Sequence, residues 1–476
     1  MNRLNIIKIK KGKTLIWRAV VAFVIGWIPF HTALSQEKPQ SPNFIFIFVD
    51  DLGWTSTSVL MDDRVASSKS DFYQTPNLER LAQAGLRFSR GYAPAAICSP
   101  SRRSIQFGQT PARQGDQRFA DDYHPAKADR MTIPKILKSI NPDYRTAHYG
   151  KWDLRADIYP EDLGYDESDG DTGNSNGNMN STSVTKWTEY YITKDPKKIS
   201  SLTGRATNFM QRQVQAGRPF YLQVSHYATH VDIQANEKTL DKYWKKDPGP
   251  IHGNPGFAAM TEDLDNGIGK IIDEVYRLGI ENHTYIIFMA DNGGVELIPQ
   301  TNLKMIPPSD YGRVRRNFPL RGGKWTLYEG GIRVPVIVAG PGIAPGTVTA
   351  FPIVGWDLLP TLADLAGFDA PLSDDLDGQS FAPLLEGSGS GDLDKDRPMI
   401  FHRYHGSYAH SAVIKGKFKL VKHWPSGLIE LFDLEDDIGE TENLADSHQD
   451  QVKELYDLLV NYLRKVDSEV VELYNP

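Results

Sequence analysis

Four nearly continuous apolar runs, each with the length of a β-strand, place the strongest limit on how this 476-residue chain can fold. The runs cover residues 44–49, 220–224, 285–289 and 334–338. Strands that are apolar on both sides are typical of a largely parallel sheet whose two faces are covered by helices. The sequence therefore predicts a buried sheet at the centre of the molecule.

Helical patterns lie between these runs. Residues 77–84 precede Gly85, and a longer pattern ends at Gly279; glycine after the last turn is a common end of a helix. The longer pattern has apolar residues at helical spacing, namely Leu264, Ile268, Ile271, Val275 and Leu278. Strands that alternate with helices predict an α/β fold.

The C-terminal part of the chain has a different pattern. Residues 387–397 have the composition of a linker. Strand-like segments follow at 412–414 and 418–421, and an amphipathic helix extends from Val452 to Val466. These patterns indicate a smaller subdomain after the main α/β domain.

The first 35 residues have the pattern of a secretory signal peptide. A basic segment precedes an apolar run at 19–30, and Ala33-Leu34-Ser35 is a small-x-small cleavage site. The alternative is an uncleaved anchor, but a spanning helix needs about 20 apolar residues, and no later stretch is long enough to span a bilayer. We therefore predict a periplasmic or secreted protein. The predicted parts are a signal peptide (1–35), a catalytic domain (36–390) and a C-terminal subdomain (391–476).

The charge of the mature chain is strongly negative. Removing residues 1–35 takes away six Lys and Arg and no acidic residue, which leaves 47 basic and 60 acidic residues, a net charge of −13. Such a chain is a poor nucleic-acid binder. An anionic substrate would have to be bound by a local group of cations.

Cys98 is the only cysteine of the chain, so an internal disulfide is impossible. A lone cysteine is usually a small buried apolar residue, but this one begins Cys98-Ser99-Pro100-Ser101-Arg102. The segment resembles the Cys-x-Pro-Ser-Arg signature of type I sulfatases. The resemblance implies that a maturation enzyme oxidises Cys98 to formylglycine (3-oxoalanine), whose hydrated aldehyde is the nucleophile. One diol hydroxyl would form a covalent sulfate ester, and the other would then expel sulfate.

The resemblance also implies an alkaline-phosphatase-like fold. Its large mixed, mostly parallel sheet is flanked by helices, and a smaller C-terminal α+β domain has a short antiparallel sheet. Residues 101–107 can form a helix directly after Pro100. The N-terminus of that helix would direct amide groups towards the sulfate.

Two acidic or amide pairs follow apolar runs at positions where ligands bind in α/β sheets, Asp50-Asp51 and Asp291-Asn292. Each pair alone is more simply explained as a turn or a helix cap. Because the family has the same pairs after its strands, the two together predict a Ca²⁺ site, with Mg²⁺ as the alternative. The converted Cys98 would complete the ligand set.

By the same resemblance, three cations point at the sulfate and the diol. They are Arg102, Lys151 in a Gly-Lys-Trp segment, and Lys324 after a glycine. Fixed cations would stabilise the charge that develops on the leaving oxygen. His230 resembles the family histidine that contacts the sulfate ester and assists the leaving group.

Asp153 departs from the family pattern, which usually has histidine at this place. A carboxylate close to an anionic substrate is unfavourable. Asp153 could act as the base for collapse of the diol, could pair with Arg or Lys, or could point away. His148 could substitute for the missing imidazole. The sequence leaves these alternatives open.

The predicted substrate is a sulfated carbohydrate, such as ulvan, carrageenan or a glycosaminoglycan. The prediction follows from the export signal, from the habit of exported bacterial family members, and from residues that could hold a sugar. These residues are Trp325, Tyr404 and the predicted substrate-binding pair Arg403 and His405. Two other functions stay open: a phosphonate or phosphodiester hydrolase of the same superfamily, and a non-catalytic glycan-binding relative.

Overall fold

A computed structural model of the chain describes residues 41–115, 130–155, 157–179, 190–296, 316–387 and 389–474. The predicted signal peptide at 1–35 lies outside the described residues. Residues Ser41–Pro476 form one compact unit, and the predicted boundary between 390 and 391 stays a prediction.

The strands are β1 (Asn43–Val49), β2 (Leu86–Phe88), β3 (Gly91–Tyr92), β4 (Arg145–Gly150), β5 (Glu167–Ser168), β6 (Tyr190–Ile192), β7 (Phe220–Ser225), β8 (Ile233–Ala235), β9 (Thr284–Ala290), β10 (Val336–Ala339), β11 (Thr347–Thr349), β12 (Ile353–Val354), β13 (Met399–Arg403), β14 (His410–Lys415), β15 (Phe418–His423) and β16 (Ile429–Asp433). The α-helices are α1 (Pro76–Ala84), α2 (Cys98–Phe107), α3 (Pro111–Gln114), α4 (Ile133–Ile140), α5 (Ile199–Gln215), α6 (Glu237–Trp244), α7 (Pro255–Leu278), α8 (Glu329–Ile332), α9 (Leu358–Leu365), α10 (Ala382–Leu385), α11 (Gln449–Lys465) and α12 (Glu469–Tyr474).

An eight-stranded sheet with the order β11-β2-β10-β9-β1-β7-β4-β5 forms the core. Strand β1 lies between β9 and β7 and is parallel to both, whereas β10 is antiparallel to β9 and β2. The runs predicted at 44–49, 220–224 and 285–289 are β1, β7 and β9, and all their residues are buried. The mixed, mostly parallel sheet confirms the predicted fold class.

The fourth predicted strand begins later than the pattern indicated. Strand β10 starts at Val336 instead of residue 334, because Pro335 has no N–H group for a ladder. Helices α1 and α7 lie where helices were predicted. Helix α7 ends at Gly279, whose φ of 67° is in the left-handed region, and the side chain of Asn254 caps its first turn by accepting from the N–H of Phe257 at 2.8 Å.

The C-terminal sheet is antiparallel, with the order β13-β14-β15-β16. Because side chains alternate along a strand, the sheet has two different faces. The outer face carries Ile400, Val413, Leu420 and Leu431, which pack against α11. The inner face carries Phe401, Ala412, Val421 and Phe432, which pack against the segment around Leu327. This small sheet agrees with the predicted C-terminal architecture.

Across the described part of the chain, no helix combines the length and the apolar character that a membrane-spanning helix needs.

Candidate active site

The candidate site lies at one edge of the large sheet, where four neighbouring strands end. Asp50 follows β1, Asp291 follows β9 and Lys151 follows β4, while β7 lies between β1 and β4. These four strands are mutually parallel, so their carboxyl ends meet at the same edge, where ligands bind in α/β proteins. Residues that are far apart in the sequence are brought together in this way.

The backbone at Asp51 turns out of the strand direction, with φ at 57°. Aspartate tolerates this left-handed conformation better than most residues do, and the turn lets two consecutive carboxylates converge instead of pointing to opposite faces. The Thr229 hydroxyl donates to the carbonyl oxygens of Asp50 at 3.1 Å and of Asp51 at 3.2 Å. Thr229 was not a predicted site residue, because an uncharged threonine in the sequence does not by itself indicate a role in a metal or anion site.

Cys98 is the first residue of α2 and is buried. The prediction that the helix starts at 101, after Pro100, was wrong: α2 includes Pro100 in its first turn. Proline is tolerated there because N–H groups of the first turn have no partner inside the helix.

The Cys98 thiol lies beside the two aspartates. Its Sγ is 3.3 Å from Oδ1 of Asp50 and 3.8 Å from Oδ1 of Asp51. Burial, together with the charge of Asp50, raises the pKa of the Cys98 thiol well above its usual value. The unmodified side chain is therefore a neutral thiol that donates to a carboxylate.

The acidic side chains around Cys98 fit a hard divalent cation. Ligand atoms of Asp50, Asp51, Cys98 and Asp291 all lie within 4.8 Å of one another. The side-chain oxygen of Asn292 is buried and has no hydrogen-bond partner among the described residues, although its Nδ2 donates to Asp51 at 2.8 Å. Carboxylate and amide oxygens are the ligands that Ca²⁺ and Mg²⁺ prefer.

The raised pKa of Asp291 is a second indication of a cation site. Burial and the nearby charge of Asp50 raise the pKa of Asp291 to about 7. A cation at this place would favour the ionised form and would relieve the repulsion between the carboxylates. The donor set thus matches the predicted metal site.

Two buried lysines neutralise the aspartates. Lys151 Nζ lies 2.7 Å from Asp50 Oδ2. Lys324 Nζ lies 2.6 and 2.8 Å from the two carboxylate oxygens of Asp51 and 3.4 Å from Cys98 Sγ. Burial alone would raise the pKa of Asp50, but Lys151 and the other nearby cations outweigh it and hold this pKa well below its ordinary value.

Arg102 lies one helical turn after Cys98 and hydrogen-bonds to two segments of the site. Its Nε and Nη2 donate to Oδ2 of Asp291 at 2.9 and 2.7 Å, and its Nη1 donates to the carbonyl oxygen of Lys151 at 2.7 Å. The guanidinium is thus used to orient Asp291 and the backbone of Lys151.

His230 lies on the other side of Asp51. Its Nδ1 is 2.7 Å from the carbonyl oxygen of Val231, so Nδ1 carries the hydrogen, and its Nε2 is 3.7 Å from Asp51. Burial, reinforced by Lys324, lowers the pKa of His230 to about 4. The ring is neutral at neutral pH, with Nε2 directed to the aspartates.

Asp153 and His148 occupy different surroundings. Asp153 lies 3.6 Å from Lys151 Nζ and 3.5 Å from Arg155 Nε. Of the three alternatives left open by the sequence, this arrangement corresponds to pairing with Lys or Arg. His148 lies in the core: its Nε2 is 3.0 Å from Ser225 Oγ, and its ring packs edge-on against Trp152. Among the described contacts, His148 makes none with Cys98.

A cavity of about 510 Å³ adjoins Lys324, and Trp325, Arg403, His405 and Tyr408 line part of it. The His405 and Tyr408 rings are stacked, with centroids 6.2 Å apart. Arg403 Nη1 donates to the carbonyl oxygen of Trp325. Arg403, predicted to bind substrate, therefore contacts the backbone next to Lys324.

Lys197 is a further buried cation that sequence reasoning missed. It is 1% exposed and lies in a turn, with φ at 49°. Burial lowers the pKa of Lys197 to about 8, against the opposing influence of Asp232 and Asp50. The sequence around it is rich in lysine, which is typical of an exposed segment, so no pattern distinguished this residue.

Two family models match the chain. One, described as Sulfatase, matches residues 42–368, and a second, described as N-sulphoglucosamine sulphohydrolase, C-terminal, matches residues 323–469. The first covers all of the residues around Cys98, from Asp50 to Lys324, and the second includes the C-terminal sheet.

The chain is also similar to characterised proteins and to solved structures. It is 28% identical over 400 residues to N-acetylgalactosamine-6-sulfatase of Mus musculus, covering 78% of this chain and 70% of the relative. It is 27% identical over 528 aligned residues to a sulfatase of Formosa agariphila, covering 91% and 90%. The crystal structure of Ps i-CgsB in complex with k-i-k-neocarrahexaose matches with a TM-score of 0.71 at 24% identity, covering 89% of this chain and 93% of that chain.

Proposed function

Because this chain belongs to the sulfatase family and is a sulfuric ester hydrolase, we propose that it removes sulfate from a sulfated carbohydrate through a formylglycine made from Cys98. The observation that carries the proposal is the position of Cys98. It begins a helix and faces two carboxylates and the Lys324 ammonium. This is where a nucleophile would be held between proton acceptors and cations.

The chain's own residues have separable roles in this proposal. Asp50 Oδ1, which accepts from the thiol at 3.3 Å, would orient the attacking hydroxyl. Asp291, whose pKa is raised to about 7 and whose carboxylate belongs to the same cluster, would be the stronger base for its proton. Lys324, 3.4 Å from Sγ, and Lys151 stabilise the negative charge of the bound sulfate. The second hydroxyl of the diol then expels sulfate, so no water molecule has to attack a hindered anion. His230 lies beside the aspartates, where a leaving oxygen would depart.

We propose Ca²⁺, with Mg²⁺ as the alternative, for the metal that Asp50, Asp51, Asp291, Asn292 and the converted Cys98 would hold. When bound, a divalent cation supplies positive charge that attracts a sulfate oxygen and lowers the pKa of a hydroxyl group. Arg102 would keep Asp291 in position for it, since two of its nitrogens donate to one oxygen of that carboxylate.

A sulfated carbohydrate is the substrate class that the observations favour. The relatives named above include an N-acetylgalactosamine-6-sulfatase and a structure solved with a neocarrahexaose. The cavity beside Lys324 has the size of a sugar site and exposes the stacked His405 and Tyr408 rings. We propose a poly- or oligosaccharide such as ulvan, carrageenan or a glycosaminoglycan, acted on in the periplasm or outside the cell. The domain limits 36–390 and 391–476 belong to the same proposal.

The test is to prepare the enzyme with and without a formylglycine-generating enzyme and to analyse the tryptic peptide of residues 91–102 by mass spectrometry. In converted protein, the peptide should carry an aldehyde and its hydrate at Cys98, and sulfate should be released from an aryl sulfate or a sulfated glycan. Cys98→Ala should abolish release. Parallel assays with an aryl phosphonate and an aryl phosphodiester separate the alternative hydrolase. Active protein with an unmodified thiol would refute the formylglycine proposal.

A further inference from the structure

We propose that the inner face of the C-terminal sheet positions Lys324 for the reaction, and that His410 is the residue that couples them. The inference rests on the proposed function, in which Lys324 contacts the sulfate and the group at residue 98. It assigns a catalytic consequence to a sheet whose strands carry none of the residues that surround Cys98.

The backbone around Lys324 has an unusual conformation. Trp325 has a φ of 77°, a left-handed value that a residue with a large side chain rarely adopts. Such a conformation persists only where its surroundings hold it. From the large-sheet side, the N–H of Lys324 donates to the carbonyl oxygen of Gly294 at 3.0 Å, and that of Trp325 donates to Ala96 at 2.8 Å.

From the other side, each strand of the C-terminal sheet contributes a contact to the segment 325–329. On β13, Arg403 donates to the carbonyl oxygen of Trp325. On β14, His410 accepts from the N–H of Leu327 at 3.0 Å. The remaining contacts come from β15 and β16: Lys419 to Glu329 at 2.8 Å, and His423 and Glu430 to the Tyr328 hydroxyl at 3.2 and 2.5 Å.

Among these residues, His410 has contacts that fix both its protonation state and its tautomer. Its Nε2 accepts from the N–H of Leu327, and its Nδ1 lies 2.6 Å from the carbonyl oxygen of Tyr408. An N–H group can only donate and a carbonyl oxygen can only accept, so the ring must be neutral with its hydrogen on Nδ1. Burial lowers the pKa of His410 to about 3, which keeps this form.

The position of His410 explains why it would affect catalysis. Its two backbone partners both lie at the cavity next to the site: Tyr408 lines that cavity, and so do Thr326 and Tyr328, the chain neighbours of Leu327. Leu327 is three residues after Lys324. The imidazole therefore links the segment that carries Lys324 to the backbone of Tyr408 through two hydrogen bonds. A small displacement of a catalytic group can reduce the rate by a large factor.

A matched control lies on the opposite face of the same sheet. His402 is also buried, its Nδ1 is 2.8 Å from Ser411 Oγ, and its Nε2 is 3.5 Å from Glu469. Glu469 belongs to α12, and Ser411 lies on the outer face of β14, so neither partner belongs to the Lys324 segment. Replacing it disturbs the same sheet without touching the contacts that hold residue 327.

The experiment compares His410→Ala, His410→Gln, His402→Ala, Lys324→Ala and the double variant His410→Ala/Lys324→Ala, all in formylglycine-containing protein. The kinetic constants kcat and KM are measured with an aryl sulfate, and the midpoints of thermal unfolding are measured by circular dichroism. We expect His410→Ala to lower kcat by about tenfold or more. We expect His402→Ala to lower the midpoint while kcat stays within about twofold. The glutamine side-chain oxygen can accept from Leu327, so His410→Gln should recover part of kcat.

The double variant distinguishes positioning from general damage. If His410 acts through Lys324, the double variant should be no slower than Lys324→Ala within about twofold, because the two losses are not additive. Additive losses, or equal effects of His410→Ala and His402→Ala on kcat, would overturn the inference alone. An unchanged rate for Lys324→Ala would overturn the proposed role of Lys324 itself. If the alanine variant does not fold, the same cycle with His410→Gln decides the question.

Discussion

Replacing Lys419 by methionine should destabilise the protein strongly, because this lysine is buried between two carboxylates. Its Nζ lies 2.8 Å from Glu329 and 2.8 Å from Glu440, and all three residues are at most 1% exposed. Glu329 keeps a second cation in Arg333, whose Nε is 2.6 Å away. Among the residues that the structure describes, no other cation lies within ion-pair distance of the Glu440 carboxylate. Without Lys419, Glu440 would retain only the hydrogen bond that it accepts from the N–H of Glu329.

The size of the effect follows from the charge left behind. Removing one partner of a buried ion pair costs about 3–5 kcal/mol of unfolding free energy. Burial already raises the pKa of Glu440 from 4.5 to about 7 despite Lys419. An acid with a raised pKa in the folded state stabilises that state at low pH, and this contribution is lost as the pH rises through the folded pKa. Without Lys419 the pKa of Glu440 rises further, so the variant should lose more stability at pH 8 than at pH 5.

The assay is urea unfolding of wild type and Lys419→Met at pH 5 and pH 8, followed by tryptophan fluorescence. Lys419→Met/Glu440→Gln should recover part of the loss at pH 8, because it removes the unpaired carboxylate. Lys453→Met removes an exposed pair with Asp457 and serves as the control, with no measurable change expected. A loss below about 1 kcal/mol, or a loss that is equal at both pH values, would refute the reasoning.

Three further predictions concern the site. Gly150→Ala should destabilise the protein by more than about 1 kcal/mol, because the φ of Gly150 is 100° and an added Cβ would lie 2.0 Å from the carbonyl oxygen of Ser225. It should also lower activity, because Lys151 is the next residue. Gly204→Ala, in α5, is the control: an added Cβ would meet no atom within 4 Å, so this variant should not be destabilised, and equal melting curves for the two variants would contradict the prediction. Asn292→Ala should reduce the rise in melting temperature that Ca²⁺ produces after chelation; an unchanged rise would exclude Asn292 as a ligand. Asp153→Asn should lower KM for a sulfate ester with kcat little changed, because a carboxylate 3.6 Å from Lys151 is removed; a fall in kcat with accumulation of sulfated enzyme would instead indicate that Asp153 is the base for collapse of the diol.

The arrangement of charges explains why so many ionisable groups can be buried here. Asp50 is matched by Lys151, Asp51 by Lys324 and Asp291 by Arg102. Each pair joins a residue at the end of one strand to a residue from another segment, so the pairs also hold the segments in register. A buried pair of this kind is costly to break but adds little net stability, which is consistent with a role in binding charged ligands.

The sequence by itself determined three of the buried strands and the ends of two helices, and it predicted the candidate residues that the structure brings together around Cys98. The apolar runs predict β1, β7 and β9 because a strand buried on both faces must be apolar on both sides. The pattern failed for β4, where Arg145, Thr146 and His148 interrupt any apolar run. These polar side chains are accommodated by partners that no local pattern contains: the Thr146 hydroxyl donates to Asp166 at 3.1 Å, and His148 Nε2 lies 3.0 Å from Ser225 Oγ.

Tertiary structure alone decided which partners the candidate residues have. Arg403, predicted from its type to bind substrate, lines the cavity beside Lys324 and donates to the backbone of Trp325, 78 positions away. Lys197 lies in a segment that is typical of exposed surface, but it is 1% exposed. The physical reason is that local sequence records burial and residue chemistry. Strand order, register and the direction of a side chain arise only when distant segments pack together, and these decide whether a cation binds a ligand, a carboxylate or a carbonyl oxygen.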